Sequence, residues 1–161
     1  MKRIRIGILT MSDKASRGER IDESGTLIKE LITELGDVVV YEIIPDEKEL
    51  IKKKLIEYSE KVDLILTTGG TGLSPRDVTP EATTEVIDRL IPGIGEAMRY
   101  EGLKKTPRAM LSRAVAGVKG KTLIINLPGS PRAVRENLEV ILSVIPHAIE
   151  KIQGDPSECA L

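Results

Sequence analysis

Hydrophobic and polar positions along the chain follow two alternating rhythms. Arg3 to Met11 (RIRIGILTM) alternates at first and then turns wholly apolar, the pattern of a strand buried on both faces of a sheet. After a polar stretch from Ser12 to Glu23, Leu27, Ile28, Leu31, Ile32 and Leu35 recur at helical spacing, and Gly36 supplies a stop. Val38 to Ile44 is rich in β-branched residues and predicts a second strand; the Pro45-Asp46-Glu47 break then leads to a helix carrying Leu50, Ile51, Leu55 and Ile56. Val62 to Thr68 predicts a third strand, which runs into Gly69-Gly70-Thr71-Gly72, and Pro80 behind a Thr79 cap opens a third helix. A short helix is expected over Gly95 to Leu103. Ala114 to Val118 and Thr122 to Leu127 flank Lys119-Gly120-Lys121, a hairpin or tight connection before the last inner strand. Ser130 and Pro131 then form a cap and first-turn pair for a helix running to about Ile152.

Strands alternating with helices imply an α/β fold, a three-layer α/β/α sandwich around a mostly parallel sheet, because each parallel crossover must return over a face of that sheet. Ligands of such sheets bind at the carboxyl ends of the strands. The loops that begin there are Ser12-Asp13, Pro45-Asp46, Gly69 to Thr79, and Pro128 to Ser130. A chain of 161 residues suits one domain, expected over 1–153, with 154–161 a loose C-terminal tail.

Composition narrows the partners. Lys+Arg 24 against Asp+Glu 25 gives a formal charge of -1, and neither Trp nor Phe is present to stack on bases, so nucleic acid is an unsuitable partner. The apolar run near the N-terminus is broken by Ser12 and Asp13, too short for a membrane span or a signal segment. The lone Cys159 forms no intrachain disulfide and no Cys/His metal cluster, which fits a reducing cytoplasm. Abundant Lys and Glu, with scarce Asn, Gln and Cys, resembles the bias of heat-loving sources.

The glycine-rich loop is the first candidate for chemistry. Gly69, Gly70, Thr71 and Gly72 follow a buried strand, and such a loop brings bare amides close to an anion; an ordinary strand-to-helix turn uses the same residues. Ser74 to Glu81 adds a cation, a carboxylate and a hydroxyl ahead of a helix N-terminus, so Arg76 is a candidate for neutralising phosphate. Asp77 beside a polyanion suggests a ligand for Mg²⁺, which takes one or two carboxylates plus substrate phosphates and water; the alternative is a turn carboxylate held by local amides. Asp46 reads on spacing as part of a helix cap. Ser12 and Asp13 fall at the expected ligand edge, whereas Asp22 reads as a plain loop residue.

Two nucleotide signatures fail. Gly117 to Thr122 contains Gly-Lys-Thr, but Val115 stands where a P-loop requires glycine. Pro75 likewise occupies the third glycine position of a dinucleotide fingerprint begun at Gly70. His147, the single histidine, lies far in sequence from these loops, so a serine-hydrolase triad has no base.

Over nearly its whole length the chain resembles the molybdopterin adenylyltransferase family of the MogA/MoaB type. The resemblance rests on Gly7-Ile-Leu-Thr-Met-Ser-Asp-Lys-Ala-Ser16, Thr67 through Thr83, Pro92-Gly-Ile-Gly-Glu96, Leu111-Ser-Arg113 and Asn126-Leu-Pro-Gly-Ser130, in that order and spacing. It implies transfer of AMP from ATP to the terminal phosphate of molybdopterin, with release of pyrophosphate and assistance from Mg²⁺. It further implies that Gly70, Thr71 and Gly72 cradle phosphate and that Asp77 and Asp46 serve catalysis and metal binding. Ser112, Arg113, Pro128, Gly129 and Ser130 would line the pterin or phosphate pocket. A homotrimer and an encounter with a molybdenum insertase are also implied. The rival classes are a molybdopterin-binding module without chemistry and a regulatory nucleotide-binding domain.

Overall fold

A computed structural model describes residues 2–159. The strands are β1 (Ile4–Met11), β2 (Gly36–Ile44), β3 (Leu64–Thr68), β4 (Arg89–Leu90), β5 (Ala116–Lys119) and β6 (Thr122–Leu127). They form one sheet in the order β2-β1-β3-β6-β5-β4. β1, β2, β3 and β6 are mutually parallel, and the β4–β5 and β5–β6 pairings are antiparallel. The helices are α1 (Asp13–Ser16), α2 (Glu23–Leu31), α3 (Lys48–Ser59), α4 (Thr79–Val86), α5 (Pro92–Leu103), α6 (Pro131–Ile141) and α7 (Ile145–Ile152).

Side chains alternate across the central strands, so each strand feeds two cores. Ile6, Ile8, Leu64, Leu66, Leu123 and Ile125 pack on one face with α2, α5, α6 and α7. Leu9, Met11, Ile65 and Ile124 pack on the other with α3 and α4. The chain leaves β1 toward α2 on the first face and leaves β3 toward α4 on the second. The crevice between the carboxyl ends of β1 and β3 is therefore where the winding reverses, the place such sheets use for ligands.

The expected α/β/α sandwich is present, with differences that have local causes. β4, only two residues long, lacked any periodic signal. The single long C-terminal helix is broken by a 3₁₀ turn at Leu142–Val144, because Pro146 donates no amide to the preceding turn and its ring disfavours helical geometry just before it. Thr79 is the first residue of α4 and not its cap; Val78 holds that position without a side-chain cap bond. Asp46 does not cap α3 either, since Glu47 is the flanking residue and makes no cap bond. Ser130 does cap α6, accepting from Ala133 N at 3.3 Å. In the expected tail, Asp155 N bonds to Glu150 O at 3.0 Å and Ser157 N to the Asp155 carboxylate at 2.7 Å; residues 160 and 161 lie outside the described residues. No helix among the described residues is long and apolar enough to cross a membrane.

Candidate functional site

A cavity of about 720 Å³ opens at the crevice between β1 and β3. Ser12 borders it from the β1 loop, Asp46 from the β2 loop, Gly69, Gly70 and Asp77 from the β3 loop, and Gly129 and Ser130 from the β6 loop. Four loops distant in sequence meet there because parallel strands deliver their carboxyl ends to one edge of the sheet.

The β3 loop adopts a shape that requires glycine. Gly69 has φ +93 and Gly70 φ +71, consecutive left-handed residues, and a Cβ on Gly69 would collide with the carbonyl oxygen of Met11. Among the described residues the amides of Gly70, Thr71 and Gly72 meet no protein acceptor, although the loop is well braced elsewhere. Thr79, fully buried, donates its hydroxyl to Gly69 O at 2.9 Å and its amide to Gly70 O at 3.1 Å. Bare amides on a braced loop are suited to an anion.

Arg113 supplies the rest of the bracing. Its Nε donates to Gly72 O and its second amino nitrogen to Asp77 O, each at 2.8 Å, while the remaining nitrogen pairs with Glu81. Its backbone amide also reaches Thr71 O at 3.0 Å. The structure thus places Arg113 behind the loop and does not bring it or Ser112 into the large cavity. Both border a separate hollow of about 250 Å³ beside Arg99, because the 3₁₀ turn Pro107–Leu111 delivers them to the outer side of the loop. Pro128 does not border the large cavity either; its carbonyl accepts from the Thr68 hydroxyl at 2.6 Å.

The acidic residues form a linked set. Asp13 N donates to the Asp46 carboxylate and Asp46 N to the Asp13 carboxylate, both at 3.0 Å, so the β1 and β2 loops are tied reciprocally. Arg76 grips Asp13 through two nitrogens at 3.0 and 2.9 Å and reaches Glu47 at 2.9 Å. The expected phosphate-neutralising Arg76 is therefore engaged by carboxylates in this structure. Exposed pairs of this kind add little stability, so the contact matters for where it holds the loop. Asp77 accepts from Ser74 N at 2.9 Å, the turn-carboxylate geometry. Yet each of Asp46 and Asp77 keeps one carboxylate oxygen without a protein donor among the described residues. The two flank the same loop: a Cβ on Gly70 would lie 3.3 Å from Asp46 Oδ1, and one on Gly72 would lie 2.9 Å from Asp77 Oδ2.

Their environments separate Asp13 from Asp46. The Arg76 guanidinium, with help from the Asp46 amide, holds the Asp13 carboxyl below its usual range. Burial, reinforced by the charges of Asp13 and Asp77, pushes Asp46 up. A carboxyl whose folded pKa is raised favours folding below its unfolded pKa, and that contribution disappears as pH rises through the folded value. At neutral pH the ionised Asp46 accordingly opposes folding. Asp46→Asn, which keeps an acceptor for Asp13 N, is expected to raise the Tm of the metal-free protein at pH 7. The gain should shrink as pH falls toward the ordinary aspartate range, as thermal melts across pH 4–7 would show; a variant less stable at pH 7 would contradict this.

Several features of the cavity carried no signal in the sequence. Thr10 and Thr68 lie within strands, and Arg20, Ile21 and Ser24 lie in or beside a stretch that reads as polar loop. Asp22, read as a plain loop residue, caps α2 through Gly25 N at 3.0 Å, accepts from the Thr10 hydroxyl at 2.7 Å and from Tyr41, and also borders the cavity. His147 is exposed on α7, away from the site.

With this geometry, comparison with known proteins is decisive. A family model described as a probable molybdopterin binding domain matches residues 7–147. The chain belongs to this family. The molybdopterin adenylyltransferase of Helicobacter pylori (strain ATCC 700392 / 26695) is 47% identical over 160 residues, covering 96% of this chain and 91% of that protein. The crystal structure of the molybdopterin biosynthesis enzyme MoaB from Thermus thermophilus superposes with a TM-score of 0.89 at 54% identity, covering 96% of this chain and 99% of that one. The tungsten cofactor synthesizing protein MoaB from Pyrococcus furiosus gives 0.88 at 36% identity, with 95% and 99% covered.

Proposed function

We propose that this member of the molybdopterin-binding family is a molybdopterin adenylyltransferase, moving AMP from ATP onto the terminal phosphate of molybdopterin in molybdenum or tungsten cofactor synthesis. The observation that carries the reading is the braced glycine loop with its bare amides, set between Asp46 and Asp77 in a chain 47% identical to a relative of that name.

An ionised terminal phosphate oxygen of molybdopterin attacks the α-phosphorus of ATP, the bond to the β-phosphate oxygen breaks, and pyrophosphate leaves. The nucleophile is already an anion, so the reaction needs alignment and charge neutralisation more than a base. That accords with a cavity bordered by no histidine. The amides of Gly70, Thr71 and Gly72 hold phosphate oxygens, Gly70 bordering the cavity itself, and the N-terminus of α6, which starts at the cavity wall with Ser130 and Pro131, adds the positive end of its dipole.

The cavity wall fits a divalent cation accompanying the nucleotide. Asp22, Glu23, Asp46 and Asp77 border it against Arg20 as the one basic side chain, so a polyphosphate entering alone would meet net repulsion. Among the described residues no group of three His, Cys, Asp or Glu side chains could hold a metal by itself. A pair of half-free carboxylates matches Mg²⁺, which draws most of its ligands from phosphates and water. Bound by Asp46 and Asp77, Mg²⁺ would supply Lewis-acid neutralisation of the departing pyrophosphate.

The homotrimer and the insertase encounter belong to the same reading, as does a cytoplasmic setting. Tyr100, Leu103, Met110 and Leu111 are exposed around α5 and the neighbouring 3₁₀ turn and offer apolar surface for association.

Pyrophosphate release from ATP and Mg²⁺, measured with and without molybdopterin, is the test. Release that requires the pterin is expected. Tight pterin binding without release would favour a binding module, and ATP binding indifferent to pterin would favour a regulatory domain.

A further inference from the structure

The segment from Arg17 to Asp22 is anchored at both ends, and between them Ile21 O accepts from Glu23 N at 3.1 Å while the Arg20 and Ile21 side chains are left unengaged. At its start, Glu19 N donates to Lys14 O at 2.9 Å, and the Glu19 carboxylate accepts two bonds from Arg17 at 3.0 Å. At its end, Asp22 is tied to α2, β1 and β2 through Gly25, Thr10 and Tyr41. Arg20 and Ile21 lie between these anchors. Among the described residues the Arg20 side chain has no hydrogen bond or ion pair, and Ile21 is 82% exposed. Both nevertheless border the 720 Å³ cavity, where Arg20 is the sole basic side chain.

A single exposed isoleucine is ordinary, and an unpaired surface arginine is too. Their joint placement is not, because they sit side by side on a short span with fixed ends, at the mouth of a cavity whose other charged side chains are all acidic. Ile21 also borders a second hollow of about 450 Å³ against Pro131 and Arg135 of α6, so this residue stands on the wall between the two spaces.

We propose that Arg20 and Ile21 form a substrate-recognition strap, Arg20 pairing with a phosphate of the bound substrate and Ile21 packing on its planar ring. The inference rests on the adenylyl-transfer reading of the cavity. A guanidinium presents a planar fork that matches phosphate oxygens two at a time, and its position on an anchored span limits the freedom lost on binding. An isoleucine beside it gives the fused ring an apolar contact that the carboxylates around it cannot.

ATP and molybdopterin each carry phosphate and a planar ring, so both are tested. Equilibrium binding of each ligand alone, followed by KM and kcat for pyrophosphate release, would be measured for the native protein, Arg20→Ala, Arg20→Lys and Ile21→Ser. Arg20→Ala is expected to weaken at least one ligand by roughly tenfold or more, the scale of a charge-assisted hydrogen bond, with the loss carried by Kd and KM more than by kcat. Arg20→Lys should restore part of it, Ile21→Ser should weaken the same ligand, and whichever ligand responds is the one the strap holds. Unchanged binding of both ligands in Arg20→Ala, or a fall in kcat with both KM values intact, overturns the proposal. Because binding is read without turnover, a native protein that binds but releases no pyrophosphate sinks only the adenylyl-transfer reading. A native protein that binds neither ligand sinks both.

Discussion

Asp77→Asn is expected to slow pterin-dependent pyrophosphate release by on the order of a hundredfold or more while leaving the fold and the affinity for molybdopterin little changed. The substitution isolates the charge. Asparagine retains a side-chain oxygen that can accept from Ser74 N, so the turn that Asp77 closes survives, and the carbonyl of residue 77 remains available to Arg113. What disappears is the anionic oxygen that has no protein donor. If Asp77 were only a turn carboxylate, the variant would turn over like the native protein, and the metal role would have to rest on Asp46 alone. If it holds Mg²⁺, the variant should also need more Mg²⁺ to reach its reduced rate, a shift that a loosened loop would not produce without a fall in pterin affinity. Steady-state rates against Mg²⁺ concentration, beside a thermal melt, separate these outcomes.

The architecture was legible in the sequence wherever one element obeyed one rhythm. β1, β3 and β6 carry the apolar runs Ile6 to Leu9, Leu64 to Leu66 and Leu123 to Ile125 because both of their faces are covered there, and the helices after them carry apolar residues at helical spacing. β4 was not legible because two residues cannot show a period. The break before α7 was visible in principle, since Pro146 sits where a continuous helix needs an amide. In the site, residues brought together by strand order could be anticipated: the loops after β1, β2, β3 and β6 all reach the cavity. Side-chain direction was another matter. Asp46 has the spacing of a cap and instead bonds across to the β1 loop, Arg76 and Arg113 turn toward carboxylates or carbonyls of neighbouring loops, and Thr79 turns back to a carbonyl at the start of its own. Those choices depend on which unpaired backbone groups lie nearby in space, which periodicity does not encode.

Gly69→Ala is expected to be the most damaging single substitution in the site, costing about 2–4 kcal/mol of stability, or roughly 5–15 °C in Tm, and abolishing turnover in the folded remainder. Two costs combine. At φ +93 an L side chain is strained, and the added Cβ would press into Met11 O, which belongs to a buried strand that cannot shift without disturbing its pairing with β2 and β3. Relief therefore has to come from the loop, by rotation of the peptide between Gly69 and Gly70. That rotation would pull Gly69 O away from Thr79, leaving the buried Thr79 hydroxyl without its acceptor. It would also turn the Gly70 amide from the orientation that suits an anion. Gly120→Ala provides the comparison: Gly120 has φ +60, a Cβ added there would have nothing within 4 Å, and the residue sits in the β5–β6 turn far from the cavity in sequence. It should show only the backbone strain, about 1–2 kcal/mol, with full activity. Equal losses of stability in the two variants, with activity retained in both, would mean that the Gly69 loop can relax around a side chain and that its close contact with β1 is not what shapes the anion cradle.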